Sequence, residues 1–223
     1  MSYKVKNNFN INCGFDVNMN HIENAIQKTN SLLAELPSTL YQSIDFKTTS
    51  AIIGAIFCDN LASITGSIVN PIEKGHPDII PRIAENCSEQ ELKKYPLGLE
   101  IKCTVGNITT GVKLLAGEPR INNLTGVTWQ AHHREVESLL GLVWDFVNLN
   151  ENFNSPMIAG AFYSANLTED DWGKISGTTG RNTKVTGMTA SGKEKMGQGW
   201  LAIVNKEIYI SSYQQKLKFS IPN

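Results

Sequence analysis

Glu100 and Lys102 stand one residue apart in Leu97-Gly98-Leu99-Glu100-Ile101-Lys102-Cys103-Thr104, where Leu99, Ile101 and Cys103 alternate with Glu100, Lys102 and Thr104. A period of two is the pattern of a strand with one apolar face, so the acid and the amine point the same way. Such a pair either neutralises itself as a surface ion pair or shares a third partner, such as a metal ion and the water it holds. Asp78, in His76-Pro77-Asp78-Ile79-Ile80, opens a short apolar run after a proline that biases His76 toward extended backbone. A run of this kind can lie beside the Glu100 strand and bring a second carboxylate to the same place.

Pro-Asp, then 21 residues, then Glu-x-Lys in an apolar strand resembles the active-site motif of the PD-(D/E)xK nuclease superfamily. A short protein of that superfamily looks most like a type II restriction endonuclease. The resemblance is carried by Pro77, Asp78, Glu100, Ile101 and Lys102. It implies an α/β fold with a mixed central β-sheet flanked by helices, restriction-endonuclease-like, and Mg²⁺-dependent hydrolysis of double-stranded DNA at a short sequence. Asp78 and Glu100, with the backbone carbonyl of Ile101, would bind Mg²⁺, and Lys102 would position and help deprotonate the attacking water. A two-fold homodimer, each subunit addressing a half-site, is implied as well. The residues leave two alternatives open: another nuclease of the superfamily, for repair or junction cleavage, or a non-enzymatic DNA-binding protein in which Glu100 and Lys102 form only a salt bridge.

The bounds of the chain fit this reading. With 223 residues, 41% hydrophobic and 18% charged, it has the composition of a globular protein with a buried core. No run of 18 apolar residues is present, and Met1 to Phe15 lacks the features of a secretory signal, so the expected location is cytoplasmic. Cys13, Cys58, Cys87 and Cys103 are widely spaced without a Cys-x-x-Cys pair, which points to free thiols and away from zinc. The net charge of -1 divides unevenly, with +6 in residues 173–223 and -7 in residues 1–172. An acidic body with a basic segment suits a protein that holds cations in one part and grips a polyanion with another. Residues 1–172 are therefore read as the catalytic core with N-terminal helices, and 173–223 as a Gly-rich, DNA-contacting segment of the same domain.

The elements follow from periodicity. After an irregular Asn-rich start, the spacing of Ile22, Ile26, Leu32, Leu33 and Leu36 predicts a helix over 20–36 that Pro37 stops, and Ile52, Ile53, Ile56, Phe57, Leu61 and Ile64 predict a second over 48–64. A short helical excursion is expected at 88–94, and a long polar connection from Gly106 to Gly126. Leu139 to Val147 and Met157 to Tyr163 are near-continuous apolar runs, as central strands buried on both faces should be. They extend the sheet begun by the Glu100 strand. Thr168 with Asp171 is a weak capping box, and Trp200 to Val204 and Ile208 to Ile210 are strand-like.

Two further clusters carry charge. Gly187-Met188-Thr189-Ala190-Ser191-Gly192-Lys193-Glu194 almost spells a phosphate-binding P-loop, but Glu194 replaces the hydroxyl that should hold magnesium, so no nucleotide cofactor is expected. The stretch is read either as a glycine-hinged loop presenting Ser191, Lys193, Lys195 and Gln198 to DNA, with Arg181, Asn182 and Lys184 before it, or as an ordinary surface hairpin. Trp129 to Arg134 is too polar for a core strand. His132 and His133, adjacent in a strand, would face opposite ways and so would not chelate one ion together, leaving His132, His133 and Arg134 as phosphate contacts or as plain solvent-exposed side chains. The chain has two rival acid-x-lysine triplets, Asp45-Phe46-Lys47 and Glu91-Leu92-Lys93, neither with the Pro-Asp spacing or the alternating strand. Replacing Lys47 with Ala should accordingly leave the rate of DNA cleavage within a few-fold of the parent, and a collapse in rate with folding intact would place the site on the wrong segment.

Overall fold

The computed structural model describes residues 1–221 except 74, 116, 151–152 and 178–183, and within strands the side chains of 148–150, 153–154, 177 and 184 lie outside the description. Its strands in chain order are β1 (Tyr3–Val5), β2 (Asn10–Asn12), β3 (Asp16–Asn18), β4 (Ile68–Val69), β5 (Ile79–Ile80), β6 (Glu100–Thr104), β7 (Asn107–Ile108), β8 (Leu124–Gly126), β9 (Gln130–Ala131), β10 (Leu139–Asn150), β11 (Phe153–Ser164), β12 (Ser176–Gly177), β13 (Lys184–Gly187) and β14 (Trp200–Val204). The α-helices are α1 (Met19–Glu35), α2 (Ser38–Ser43), α3 (Phe46–Thr65), α4 (Glu89–Leu92), α5 (Ala190–Gln198) and α6 (Glu207–Leu217). Among the described residues no helix is long and apolar enough to cross a membrane.

Five of these strands form a mixed sheet in the order β1-β14-β11-β10-β6, antiparallel throughout except for the parallel pair β10 and β6. On β10 the side chains of Leu140, Leu142, Trp144 and Phe146 join one core with α1 and α3, and Leu139, Val143 and Val147 join a second with Met196 of α5 and Tyr213 and Leu217 of α6. Helices thus flank the sheet, as the double-sided apolar runs imply. Each large apolar side chain that is fully buried, such as Phe57 or Ile22, contributes about 1.5–3 kcal/mol.

Local chemistry explains the helices that carry the sheet. Asn18 caps α1 by accepting from the His21 amide at 3.1 Å, and Ile22, Ala25, Ile26, Thr29 and Leu33 form its buried stripe. Asp45 caps α3 by accepting from the Thr48 amide at 2.7 Å, and Gly66 ends it in the left-handed conformation that glycine adopts freely. The rival triplet at Asp45 is therefore a helix start with its carboxylate engaged. Glu91, in the other triplet, closes a capping box with Ser88.

Several expectations are overturned. The glycine-hinged loop at 187–198 is largely helix α5: Thr189 caps it, Met196 is buried, and Gly192 and Gly197 allow close packing, because a Cβ there would run into the backbone of Asp171 or Leu217. Ile208 to Ile210 lies in α6, where the helical spacing of the buried Tyr209, Tyr213 and Leu217 prevails over a three-residue apolar run. His132 and His133 sit in a bend after β9, so the alternation argument does not govern them. Trp129 to Arg134 forms no strand of the main sheet, as its polarity implies, although Trp129 and Ala131 are buried. Residues 1–19 supply an edge strand of the main sheet, β1, and the polar connection after Gly106 is folded in by a buried Arg120.

That connection is held by Asp145, buried on β10. Its carboxylate accepts from the amides of Arg120 (2.7 Å), Ile121 (3.0 Å) and Phe146 (2.8 Å) and from the Tyr209 hydroxyl (3.0 Å). Burial pushes its pKa up to about 6 against those four donors, which leaves it ionised at neutral pH. Asp145→Ala strands all four donors in the interior, and since each buried unpaired donor costs about 1–3 kcal/mol, chemical denaturation should show a loss of at least ~3 kcal/mol.

Candidate active site

The rim of the sheet at β6 is where the charged residues meet. Glu100 and Lys102 lie opposite Leu139 and Gly141 of β10, whose core face belongs to α5 and α6. Gly141 is bare for a reason: a Cβ there would come 2.5 Å from the Trp129 ring and 2.7 Å from Met196, so both side chains close down beside the Lys102 position. On the other face Leu99 and Ile101 enter the core under α1 and α3. The two-fold alternation of the sequence is realised as expected.

Asp78 reaches the same place by a separate route. Ile79 and Leu99 exchange both backbone hydrogen bonds, at 3.1 and 2.8 Å, which lays the Asp78 segment along the start of β6. Gly98 makes this approach possible, with φ of +147° and a position where a Cβ would overlap the Ile79 carbonyl oxygen and press on Pro77. Asp78 Oδ2 then accepts from the Ile101 amide at 2.7 Å. The amide and carbonyl of one strand residue point the same way, so the Ile101 carbonyl also faces the side of Asp78, away from β10.

Lys102 Nζ stands 2.5 Å from Glu100 Oε1 and 3.5 Å from Asp78 Oδ2. Glu100 is nearly buried, with 7% of its side chain exposed, whereas Asp78 at 32% and Lys102 at 21% open to solvent. Glu100 Oε1 is thus engaged by the Lys102 ammonium. The other oxygen, Oε2, is 3.3 Å from His76 Nδ1. The His133 ring stacks edge-on against His76 with centroids 4.8 Å apart, and its Nδ1 is buried without a partner.

These neighbours drive the titrations apart. Burial, and then the Glu100 charge, push Asp78 above the usual carboxylate range. Burial acts in the same direction on Glu100, but the His76 hydrogen bond and the Lys102 charge outweigh it and hold Glu100 low. Burial would lower Lys102, yet the two carboxylates prevail and raise it, so Lys102 is an ammonium here. The Glu100 hydrogen bond raises His76, while burial and then the His76 charge lower His133.

Asp78, Glu100, Ile101, Lys102 and His133 are thus brought together. His76 joins them without having been singled out, although its position two residues before Asp78 in an extended segment would place it on the same side. Of the other expected DNA contacts, Arg134, Lys195 and Ser191 have partners elsewhere in the fold. Arg134 donates to the Glu169 carbonyl at 2.6 Å and pairs with its carboxylate, while His132 is exposed in the bend beside it. Lys195 Nζ is 2.6 Å from the buried Asp171 and 2.8 Å from the Asn166 carbonyl oxygen, and Ser191 donates to Asp171 at 2.5 Å. Although burial pushes Asp171 up, Lys195, Ser191 and Thr168 bring it down to about 2. Both residues are therefore tied into the fold. Lys193 and Gln198 lie on α5, Lys184 begins β13, and Arg181 and Asn182 fall outside the described residues.

Two carboxylates and one carbonyl make a modest donor set, and among the described residues no three His, Cys, Asp or Glu side chains converge as a metal cage. The set nonetheless fits Mg²⁺, which takes hard oxygens, is satisfied by one or two carboxylates and keeps several waters. Glu100 Oε1, which faces Lys102, and the partial exposure of Asp78 are the features such an ion would use. In comparisons with known proteins, no family model, no curated protein and no solved structure matches the chain.

Gly98→Ala should separate the two carboxylates, because the new Cβ must displace either the Ile79 carbonyl or Pro77. The expected result is a loss of roughly 1–3 kcal/mol in stability from backbone strain and a drop in any cation-dependent activity larger than that loss explains, read from melts and rate measurements on the same preparation.

Proposed function

We propose that the chain is a Mg²⁺-dependent nuclease acting on double-stranded DNA, most similar in its site to type II restriction endonucleases of the PD-(D/E)xK superfamily. The observation that carries this reading is the convergence at one sheet rim of Asp78, Glu100 and Lys102, with the Ile101 amide bound to Asp78. A surface salt bridge needs two partners and no particular backbone geometry. Here three charges come from two segments, and a glycine is used to bring them together.

In this reading Asp78, Glu100 and the Ile101 carbonyl would hold Mg²⁺, which when bound supplies a polarised water and positive charge against the scissile phosphate. Lys102 orients the water through its ammonium. It can give up its proton and act as a base only when its two carboxylates are neutralised from another side, since they are what hold that proton now. The partial exposure of Asp78 and Lys102 gives a phosphate access, while burial of Glu100 keeps one wall of the site dry. Helix α5 packs beside this rim through Met196, which supports DNA contact through its Lys193 and Gln198. A two-fold homodimer and action on DNA in the cytoplasm belong to the same proposal.

Purified protein incubated with plasmid DNA should give discrete fragments with Mg²⁺ and none without it. A smear would mean a nonspecific nuclease, and intact DNA a binding protein. Asp78→Ala and Lys102→Ala should each lower the cleavage rate by at least about a hundredfold while circular dichroism remains that of the parent. Near-normal cleavage by either folded variant would remove the assignment.

A further inference from the structure

The pair His76 and His133 is not accounted for by two carboxylates, a carbonyl and a lysine. His76 is fixed at its backbone, where its amide donates to the Lys93 carbonyl at 3.1 Å and its carbonyl accepts from the Tyr95 amide at 2.8 Å. Its ring therefore stands at a set distance from β6. An ionised Glu100 has only acceptors, so the 3.3 Å contact requires the proton on His76 Nδ1 and leaves His76 as the donor. That donor holds Oε2, and Oε1 is thereby turned toward Lys102 and the Asp78 side of the rim. His133 comes from a different part of the chain and meets the His76 ring edge-on, which blocks rotation of the imidazole about its own bond.

We propose that His76 is a positioning residue that sets the Glu100 carboxylate for divalent-cation binding, with His133 as the brace that holds the His76 ring. The proposal rests on the reading of Asp78 and Glu100 as cation ligands. A hydrogen-bond donor behind a ligating carboxylate fixes its orientation before the ion arrives, and loss of such an outer partner costs metal affinity without touching the ligand itself. It also gives His133 a role other than phosphate contact, since its Nδ1 is buried and its ring meets that of His76.

The test is Ca²⁺ binding by titration calorimetry on the full chain, with melts in the absence of Ca²⁺ to monitor folding. The parent should bind, and Glu100→Gln should not. His76→Ala should weaken Ca²⁺ binding about tenfold or more, whereas His76→Asn, whose amide can place an N–H near the position of Nδ1, should return within about threefold of the parent. His133→Ala should fall between them, and His133→Phe, which restores an aromatic edge, should approach the parent. Parental Ca²⁺ affinity in folded His76→Ala overturns the proposal, even if its melting temperature falls, because a merely structural histidine would do just that. If His76→Ala does not fold, a tenfold loss in His76→Asn or parental binding by His133→Ala overturns it instead. A parent that binds no Ca²⁺ brings down the cation-site reading and this proposal together, whereas a parent that binds equally well with and without His76 brings down this proposal alone.

Discussion

Two carboxylates that approach each other in a half-buried place repel, by about 4 kcal/mol for charges 4 Å apart in surroundings of intermediate polarity, and something positive must stand between them. In this chain that something is Lys102, in contact with both Asp78 and Glu100. The opposed titrations of the two acids follow from it: Glu100 takes the closer ion pair and the imidazole donor, while Asp78 takes the longer one and a backbone amide. The lysine is held as an ammonium by the same contacts. The rim is thus charge-balanced with Lys102 as counter-ion, and a divalent cation at the same carboxylates would relieve the lysine of that role.

The scaffold serves this constraint at two bare positions. Gly98 admits the Asp78 segment against β6, and Gly141 admits Trp129 and Met196 over β10 beside Lys102. Neither residue carries chemistry. Each marks a place where one more carbon would keep two elements of the site apart. Behind them, β10 is buried on both faces, so the strand that registers β6 has little freedom to shift.

Charge counted along the chain and charge presented at the surface differ in this fold. The basic C-terminal region has a net +6, yet Lys195 pairs with the buried Asp171 and ties the last turn of α5 to the segment before the helix. Arg134, in the acidic part, is likewise engaged by Glu169. In the proposed contact with DNA, α5 would therefore present fewer free cations than the composition suggests.

By itself the sequence determined what local periodicity can determine. The alternation from Leu99 to Thr104 put Glu100 and Lys102 on one side of a strand, the apolar runs at 139–147 and 157–163 marked strands buried on both faces, and the stripes of α1 and α3 were legible because each spans four or more turns. Asp78 could be placed near Glu100 from its Pro-Asp context, but its hydrogen bond to the Ile101 amide could not, since that depends on how Gly98 lets two segments 20 residues apart approach. Short or glycine-rich stretches were decided by tertiary packing: residues 190–198 are helical because Met196 is buried in the core and Asp171 binds the helix start, and Ile208 to Ile210 follow the spacing of Tyr213 and Leu217 beyond them. The meeting of His76 with His133 has no trace in the sequence. It joins residues 57 apart through a bend, and only the folded sheet brings those two rings within reach of one carboxylate.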